Sequence, residues 1–355
     1  MEPFPSPGGA LSSTRSGEDP NYQKHKEGAN EKVLFGIIMM FALAILAMPA
    51  FAVTALKYAT IHEPSHPVGY TAEFFASRVK ELTNGEITVQ VYHSRQLGDA
   101  RDNVENVRNG TIAFTTLSVS NLSQVLPVLD VWSLPFIFKS DDHFWYVLNH
   151  PKSWEFMKQL EPKGIKTITW ITSGARNFFS KKPIRNPADL KGLKIRVMAS
   201  PVMINTIKAL GASGVPTAWG ELYTALQTGV VDGAENNHPS LISMKFYEVT
   251  KYYTLDEHMR IPDLTIASTK VFDKLTKVQQ QAVLQAAREA TAYMRGAWKV
   301  AEVEDLAKLK GLMTEIITVD KKPFQDAVAG VVQEEAKRLG GEVFVNFILQ
   351  TGKNF

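Results

Sequence analysis

His62, Glu63 and His66 stand in the spacing H-E-x-x-H within "HEPSHPVG" (62–69). In that pattern two imidazoles bind zinc and a carboxylate works on the metal-bound water. The chemistry needs both histidines on one helix face, one turn apart. Pro64 falls inside that turn, Pro67 follows it, and Ala72 occupies the place of a third histidine ligand. A proline there removes a hydrogen bond and clashes with the preceding turn, so the motif is expected to be a loop after the first strand. His62 or His66 would then face a cleft rather than hold a metal. A zinc hydrolase using His62, Glu63 and His66 is the reading from a different class, which a stoichiometric zinc ion in the purified protein would revive.

Other enzyme signatures are absent from the sequence: it has no G-x-S-x-G, no G-x-G-x-x-G and no G-x-x-x-x-G-K-[ST]. The lack of any cysteine excludes a thiol nucleophile, disulfides and a Cys-zinc site. A balance of 39 Lys+Arg against 36 Asp+Glu carries no nucleic-acid footprint. No cofactor is implied.

What remains is a set of polar residues at the ends of strands and loops. Arg196 lies in "DLKGLKIRVMAS" (189–200), Arg176 in "SGARNFFS", Trp219, Glu221 and Tyr223 in "AWGELY", and Asn236 and Asn237 in "DGAENN". Ser118 and Asn121 sit in "SVSN", where a strand would end. Arginines suit a carboxylate, amides suit hydroxyls, and an aromatic face suits C–H groups, which together would recognise a polyhydroxylated anion. For Arg196 alone, periodicity allows two readings. Leu193, Ile195 and Val197 alternate as a half-buried strand, leaving Arg196 with Lys194 and Met198 on the other face. The arginine is either a solvated charge there or a guanidinium aimed into a cleft.

The elements that must position these residues alternate between short apolar strands and helices, which predicts an α/β fold. Strands are expected at "LKYAT", "EITVQVY", "TIAFTTL" (111–117) and "GIKTITWI" (164–171), with a helix near Val68 to Thr83. Ser200-Pro201 reads as an N-cap and first helical residue, with that helix ending at Gly211. A further helix is expected from Trp219 to Thr228. "VVDGAENN" (230–237) reads as an apolar stub, a glycine turn and a cluster of amides. Thr276 with Gln279 resembles a capping box opening a helix to about Lys310, roughly 50 Å long and able to cross two lobes. A last helix is expected after "DKKPF" (320–324), ending at Gly340-Gly341.

At the amino end, Lys32, the apolar run Val33 to Met48 and "AFA" (50–52) have the form of a secretory signal peptide, with cleavage expected after Ala52. An uncleaved membrane anchor is the alternative. Residues 1–30 are polar and patternless. Removing 1–52 leaves 35 basic against 31 acidic residues, a charge of +4.

"QLGDARDNVENVRNG", "SLPFIF", "SGARNFFS", "NPADLKGLKIRVMASP" and "GELYTALQTGVVDGAENN" occur in that order. Together they resemble the DctP-type substrate-binding proteins of tripartite ATP-independent periplasmic (TRAP) transporters, over essentially the whole of the chain after 52. The resemblance implies a two-lobed periplasmic-binding-protein fold with a long helix crossing both lobes. Lobe I would hold 53–173 with 262–300 returning to it, and lobe II 174–261 completed by 301–355. It also implies that Arg196 grips a ligand carboxylate, with Arg176, Trp219, Asn236 and Ser118 at family ligand positions. Asn237, Glu221, His62 and His66 join them as further candidates. The expected partners are an organic acid and the transporter's membrane subunits, for a periplasmic monomer that binds no nucleic acid and is not an enzyme. The region from "WGELY" to "RIPD" is most similar to the hexuronate branch, departing from it at His238 and Phe246. C4-dicarboxylates and 2-oxo acids are the alternative ligands, and a sensor that docks on a membrane receptor is an alternative destination.

Overall fold

The computed structural model describes residues Val53–Phe355 and, before them, only positions 35, 36 and 39. The expected signal peptide and its cleavage after Ala52 therefore lie outside the described residues. Among the described residues, no helix is long and apolar enough to cross a membrane.

Among the described residues, eleven strands form two mixed sheets. The first has the order β2 (Ile87–Tyr92), β1 (Thr54–Thr60), β3 (Phe114–Ser118), β10 (Asp263–Ser268), β4 (Ile165–Ile171). The second has the order β11 (Glu315–Thr318), β9 (Tyr252–Met259), β5 (Arg176–Ser180), β8 (Gly233–Asn236), β6 (Lys194–Val197), β7 (Ser213–Pro216). β10 runs antiparallel to β3 and β4, and β5 runs antiparallel to β8 and β9. Two paired crossings, β4 to β5 and β9 to β10, carry the chain between the sheets. Gly174 lies in the first crossing at φ +63°, and a Cβ there would stand 2.7 Å from Trp298 Nε1, so only glycine fits.

The expected α/β architecture and the long helix are both present. Helix α1 (Pro67–Leu82) packs on the first sheet, α2 (Ala100–Asn109) follows β2, and α3 (Pro201–Ala209) follows β6. α4 (Leu222–Thr228) and α5 (His238–Ser243) flank β8. α6 (Lys277–Leu312) is the crossing helix. Its start is the expected capping box: Thr276 Oγ1 accepts from Gln279 N–H at 3.2 Å, and Gln279 Oε1 accepts from Thr276 N–H at 3.1 Å. Val283, Ala286, Ala287 and Ala290 of α6 enter the core under the first sheet, while Leu309 enters a core of the second. One rigid rod thus has a foot in each half.

Two stretches differ from the sequence expectation. Residues 233–236 form β8, a central strand, because Gly233 and Ala234 are small enough for close packing against β5. Beyond Gly340, which ends α7 (Ala329–Leu339) in the left-handed conformation, another helix α8 (Glu342–Thr351) follows. Its Phe344, Val345 and Ile348 pack into the first sheet's core with Trp132 and Trp170. Phe324, Val328 and Val331, earlier in this stretch, pack instead in the second sheet's core.

Asp130 ties the halves together. It sits in a 3₁₀ turn (Pro127–Ser133) whose neighbours Leu129 and Trp132 belong to the first core. Its Oδ1 accepts from Ser200 Oγ at 2.6 Å and its Oδ2 from Val202 N–H at 3.0 Å, at the start of α3. Ser200 also caps α3 as expected, accepting from Met203 N–H. Asp130→Ala is expected to remove about 2–4 kcal/mol, since bonds to a charged acceptor are stronger than neutral ones. A lower urea midpoint at unchanged slope would show it.

Candidate functional site

Parallel strands of both sheets end at one edge, and a cavity opens there, where open α/β sheets collect ligands. His62 follows β1, Ser118 ends β3, Arg196 and Met198 come from the end of β6, and Asn236 ends β8. The antiparallel strands β5 and β10 begin at the same edge, so they contribute their first residues, Arg176 and Asp263. All of these line a cavity of about 230 Å³. That is below the roughly 300–1,000 Å³ of drug-sized pockets and suits a small solute.

Arg196 is not a solvated charge. It is 3 % exposed, with Ile195 and Val197 fully buried on either side. In register, it lies between Val215 of β7 and Ala234 of β8. Its Nε and Nη2 donate to one backbone carbonyl, that of Thr217, at 2.9 and 2.7 Å. Nη1 is buried with no partner among the described residues. Its guanidinium carbon stands 5.6 Å from the centre of the Trp219 ring. Burial pulls its pKa down to about 10, with Arg176 adding to that effect and Glu235 opposing it, so it remains a cation at neutral pH.

Arg176 has a different environment. It donates from Nε and Nη2 to both carboxylate oxygens of Glu235, and from Nη2 to the Glu235 carbonyl at 3.1 Å. Behind that pair, His258 stands 3.8 Å from Glu235 Oε2 and bonds through Nδ1 to Asp256 Oδ2 at 2.7 Å. Burial disfavours the Glu235 carboxylate, but Arg176 and His258 outweigh it and hold the pKa at about 2. Burial likewise disfavours the His258 cation, yet Asp256 and Glu235 raise its pKa to about 9. Arg176 is therefore neutralised within the protein, and Arg196 is the buried cation lining the cavity without a carboxylate of its own.

Trp219 and Ser118 present the same kind of vacancy in hydrogen bonding. Trp219 Nε1 and Ser118 Oγ are buried and unpartnered among the described residues, like Arg196 Nη1, and all three residues line the cavity. Native proteins leave few such groups, so three around one cavity mark a binding surface. Asn236 lines it too, its Oδ1 accepting from Asn237 N–H at 2.9 Å. Asn237 borders the cavity with its amide already engaged: Nδ2 donates to the Ser173 carbonyl at 2.8 Å, and Oδ1 caps α5 through Ser240 N–H at 2.9 Å.

Helix α1 begins at Pro67, after the "HEPSH" motif, because Pro64 and Pro67 prevent an earlier start. His62 lines the cavity, and His66 stacks behind it with ring centres 4.1 Å apart. His66 Nδ1 accepts from Val68 N–H and its Nε2 lies 3.4 Å from Ser240 Oγ, so it supports the wall from behind. Burial, then the Arg95 and Arg176 charges, hold the pKa of His62 down to about 4. Glu63 turns away and accepts from Ser94 Oγ. Among the described residues no group of three His, Asp or Glu has metal-binding geometry.

Glu221 is a correction: it is exposed, outside the cavity, because the 3₁₀ turn Trp219–Glu221 points Trp219 inward and leaves Glu221 on the opposite side. Tyr223 is also elsewhere, bonding Glu248. Conversely, Asp99, Ser173, Ser240 and Asp263 line the cavity without having been singled out. Asp99 Oδ2 accepts from Gly220 N–H at 3.0 Å, closing the mouth between α2 and the Trp219 turn. Glu235 was hidden because its strand reads as a turn. Asp263 leaves a usable signal: an acid opening the apolar run Leu264 to Ala267 needs a reason to be buried.

Residues 58–338 match the family described as bacterial extracellular solute-binding protein, family 7 (DctP). The chain is 39 % identical over 301 residues to the protein YiiZ of Salmonella typhimurium, covering 82 % of this chain and 91 % of that one. A TRAP periplasmic solute binding protein from Roseobacter denitrificans, with bound β-D-glucuronate, superposes with a TM-score of 0.80 at 34 % identity, over 83 % of this chain and 99 % of its own. Another from Sulfitobacter sp. NAS-14.1, with bound β-D-galacturonate, also gives 0.80 at 34 % identity, over 85 % and 100 %.

Proposed function

The chain belongs to the DctP family of extracellular solute-binding proteins and is the solute-binding component of a TRAP transporter, and from that premise we propose that its solute is a hexuronate or a related sugar acid. The observation that carries this reading is the unpartnered Arg196 Nη1, buried on the cavity wall. Arg196 binds the solute's carboxylate. Trp219 Nε1, Ser118 Oγ, Asn236 and His62 meet its hydroxyls, and the Trp219 ring covers its C–H face. Arg176, paired with Glu235, shapes the wall. The cavity draws residues from both sheets, so the solute has more contacts when the halves are closed on it, and binding shifts the population toward that state.

The closed form then docks on the membrane subunits of the transporter. The protein acts as a periplasmic monomer released by cleavage after Ala52, without enzymatic activity of its own. Its two lobes are built on the two sheets, with 172–175 and 260–262 as the crossings between them.

A thermal-shift screen over an organic-acid panel tests the reading. At a hundredfold excess over Kd a ligand adds about 2.7 kcal/mol, which raises Tm by roughly 5 °C or more in a protein this size. D-Glucuronate and D-galacturonate are expected to give that shift. Arg196→Lys is expected to reduce it, because a point charge cannot reproduce the guanidinium fork. A shift with C4-dicarboxylates or 2-oxo acids and none with uronates would overturn the assignment.

A further inference from the structure

Among the described residues lining the cavity, Asp263 is the carboxylate that has neither a salt-bridge partner nor a helix to cap. It opens β10 and is 3 % exposed, paired in register with Ser118 on one side and Ile171 on the other. Its hydrogen-bond donor among the described residues is Ser173 Oγ at 3.3 Å, a hydroxyl equally placed to reach the Ile261 carbonyl. A buried acid so weakly held is costly unless something in the cavity answers it. It belongs to the first sheet and Arg196 to the second, and both line the cavity.

The charges around the cavity then decide what fits. Arg176 is cancelled by Glu235, His62 is neutral at physiological pH, and Asp99 is engaged by the Ala100 and Gly220 N–H groups. Arg196, a buried cation without a carboxylate partner, and Asp263, a buried acid without a cation partner, thus both line the cavity, which the exposed Arg101 also borders. A carboxylate next to Arg196 leaves the rest of the solute against Asp263, where a hydroxyl donates a hydrogen bond and a second carboxylate meets a like charge.

We propose that Asp263 is the specificity-determining residue that restricts this site to solutes with a single carboxylate, by accepting a hydrogen bond from a hydroxyl and repelling a second carboxylate. This rests on the reading of Arg196 as the carboxylate grip, and it separates two of the ligand classes that the sequence left open: sugar acids are admitted and dicarboxylates are refused.

The test compares D-glucuronate with D-glucarate, and D-galacturonate with galactarate, pairs that differ by oxidation of one terminal carbon to a second carboxylate. Calorimetry at pH 8 on the full extracytoplasmic chain is expected to show uronate binding at least about a hundredfold tighter than aldarate binding. Asp263→Asn, which keeps shape and removes charge, is expected to bring that ratio down by about tenfold or more, chiefly by improving aldarate binding. A second measurement needs no variant. Burial raises the Asp263 pKa to about 7, with Arg176 opposing, so lowering the pH from 8 to 6 neutralises it. Across that window Arg176 and Arg196 stay cations, Glu235 stays an anion and His62 stays neutral, and Asp99 and Arg101 are the other charged side chains bordering the cavity. The wild-type ratio is therefore expected to fall between pH 8 and 6 and the Asp263→Asn ratio to stay flat. Uronate binding with a ratio unmoved by either the variant or the pH overturns the role of Asp263 alone. If the wild type binds aldarate as tightly as uronate, the proposal likewise fails. If it binds neither, the reading of the site under the proposed function falls first and takes this one with it.

Discussion

Arg196→Ala is expected to weaken hexuronate binding by about 2–5 kcal/mol, or roughly 30-fold to several thousandfold in Kd. Most of that loss comes from leaving a carboxylate buried without its counter-charge. Arg176 does not take over, because its Nε and Nη2 are committed to Glu235, and rotating toward the ligand would strand that carboxylate. Folding responds differently. In the unliganded protein Arg196 is held by one carbonyl, and burial depresses its pKa to about 10 from an ordinary 12.5. A base whose pKa is lowered by folding opposes folding wherever it is charged, here at every pH below about 10. Its removal is therefore expected to leave the unliganded Tm within about 3 °C of wild type. Calorimetry and a thermal melt on the same sample separate the two effects. Unchanged affinity would sink the assignment of Arg196, and a collapse in Tm would mean that the arginine is structural.

Arg196 also shows how far the sequence could be read. Strand β6 was legible from the alternation of Leu193, Ile195 and Val197, yet alternation cannot distinguish an open sheet face from one covered by another part of the chain. What covers Arg196 is the Thr217–Trp219 segment, which starts 21 residues onward and is brought over it by the β6–α3–β7 crossover. Capping signals at Ser200-Pro201 and Thr276 act within a few residues and were read directly. The partnership of Arg176 with Glu235 spans 59 residues and depends on β5 pairing with β8, whose Gly-Ala-Glu-Asn carries no strand signal of its own. Glu221 misled for the opposite reason. It shares a motif with Trp219, but a 3₁₀ turn separates neighbours that sequence proximity suggests would act together. Local chemistry was thus visible in the sequence. Which charges are free and which are cancelled depends on strand pairing, and that becomes apparent only in the fold.

Glu235→Gln is expected to cost about 3–5 kcal/mol of stability, because it leaves Arg176 and His258 buried without the carboxylate they share. At about 2–4 °C per kcal/mol, Tm should fall by roughly 6–20 °C. The pH dependence distinguishes a lost charge from lost packing. Glu235 is ionised in the folded protein down to about pH 2, whereas the ordinary glutamate value is 4.5. Its contribution is thus fully present above about pH 4.5 and is lost as pH falls toward 2. The gap between wild type and variant is therefore expected to be widest near neutrality and to narrow on acidification through that window. His258 adds a second signature on the alkaline side. Its pKa of about 9, against an ordinary 6.5, means that its cation stabilises the fold below about 6.5 and that this support fades as pH rises to about 9. Without Glu235 one of the two carboxylates holding that cation is gone, so the variant's fade is expected to begin at the same pH and to end at a lower one. Chemical melts at pH 3, 7 and 9 would show both effects. A penalty equal at all three would mean that Glu235 contributes shape and not charge, which would remove the argument that Arg176 is neutralised and that the solute's carboxylate falls to Arg196.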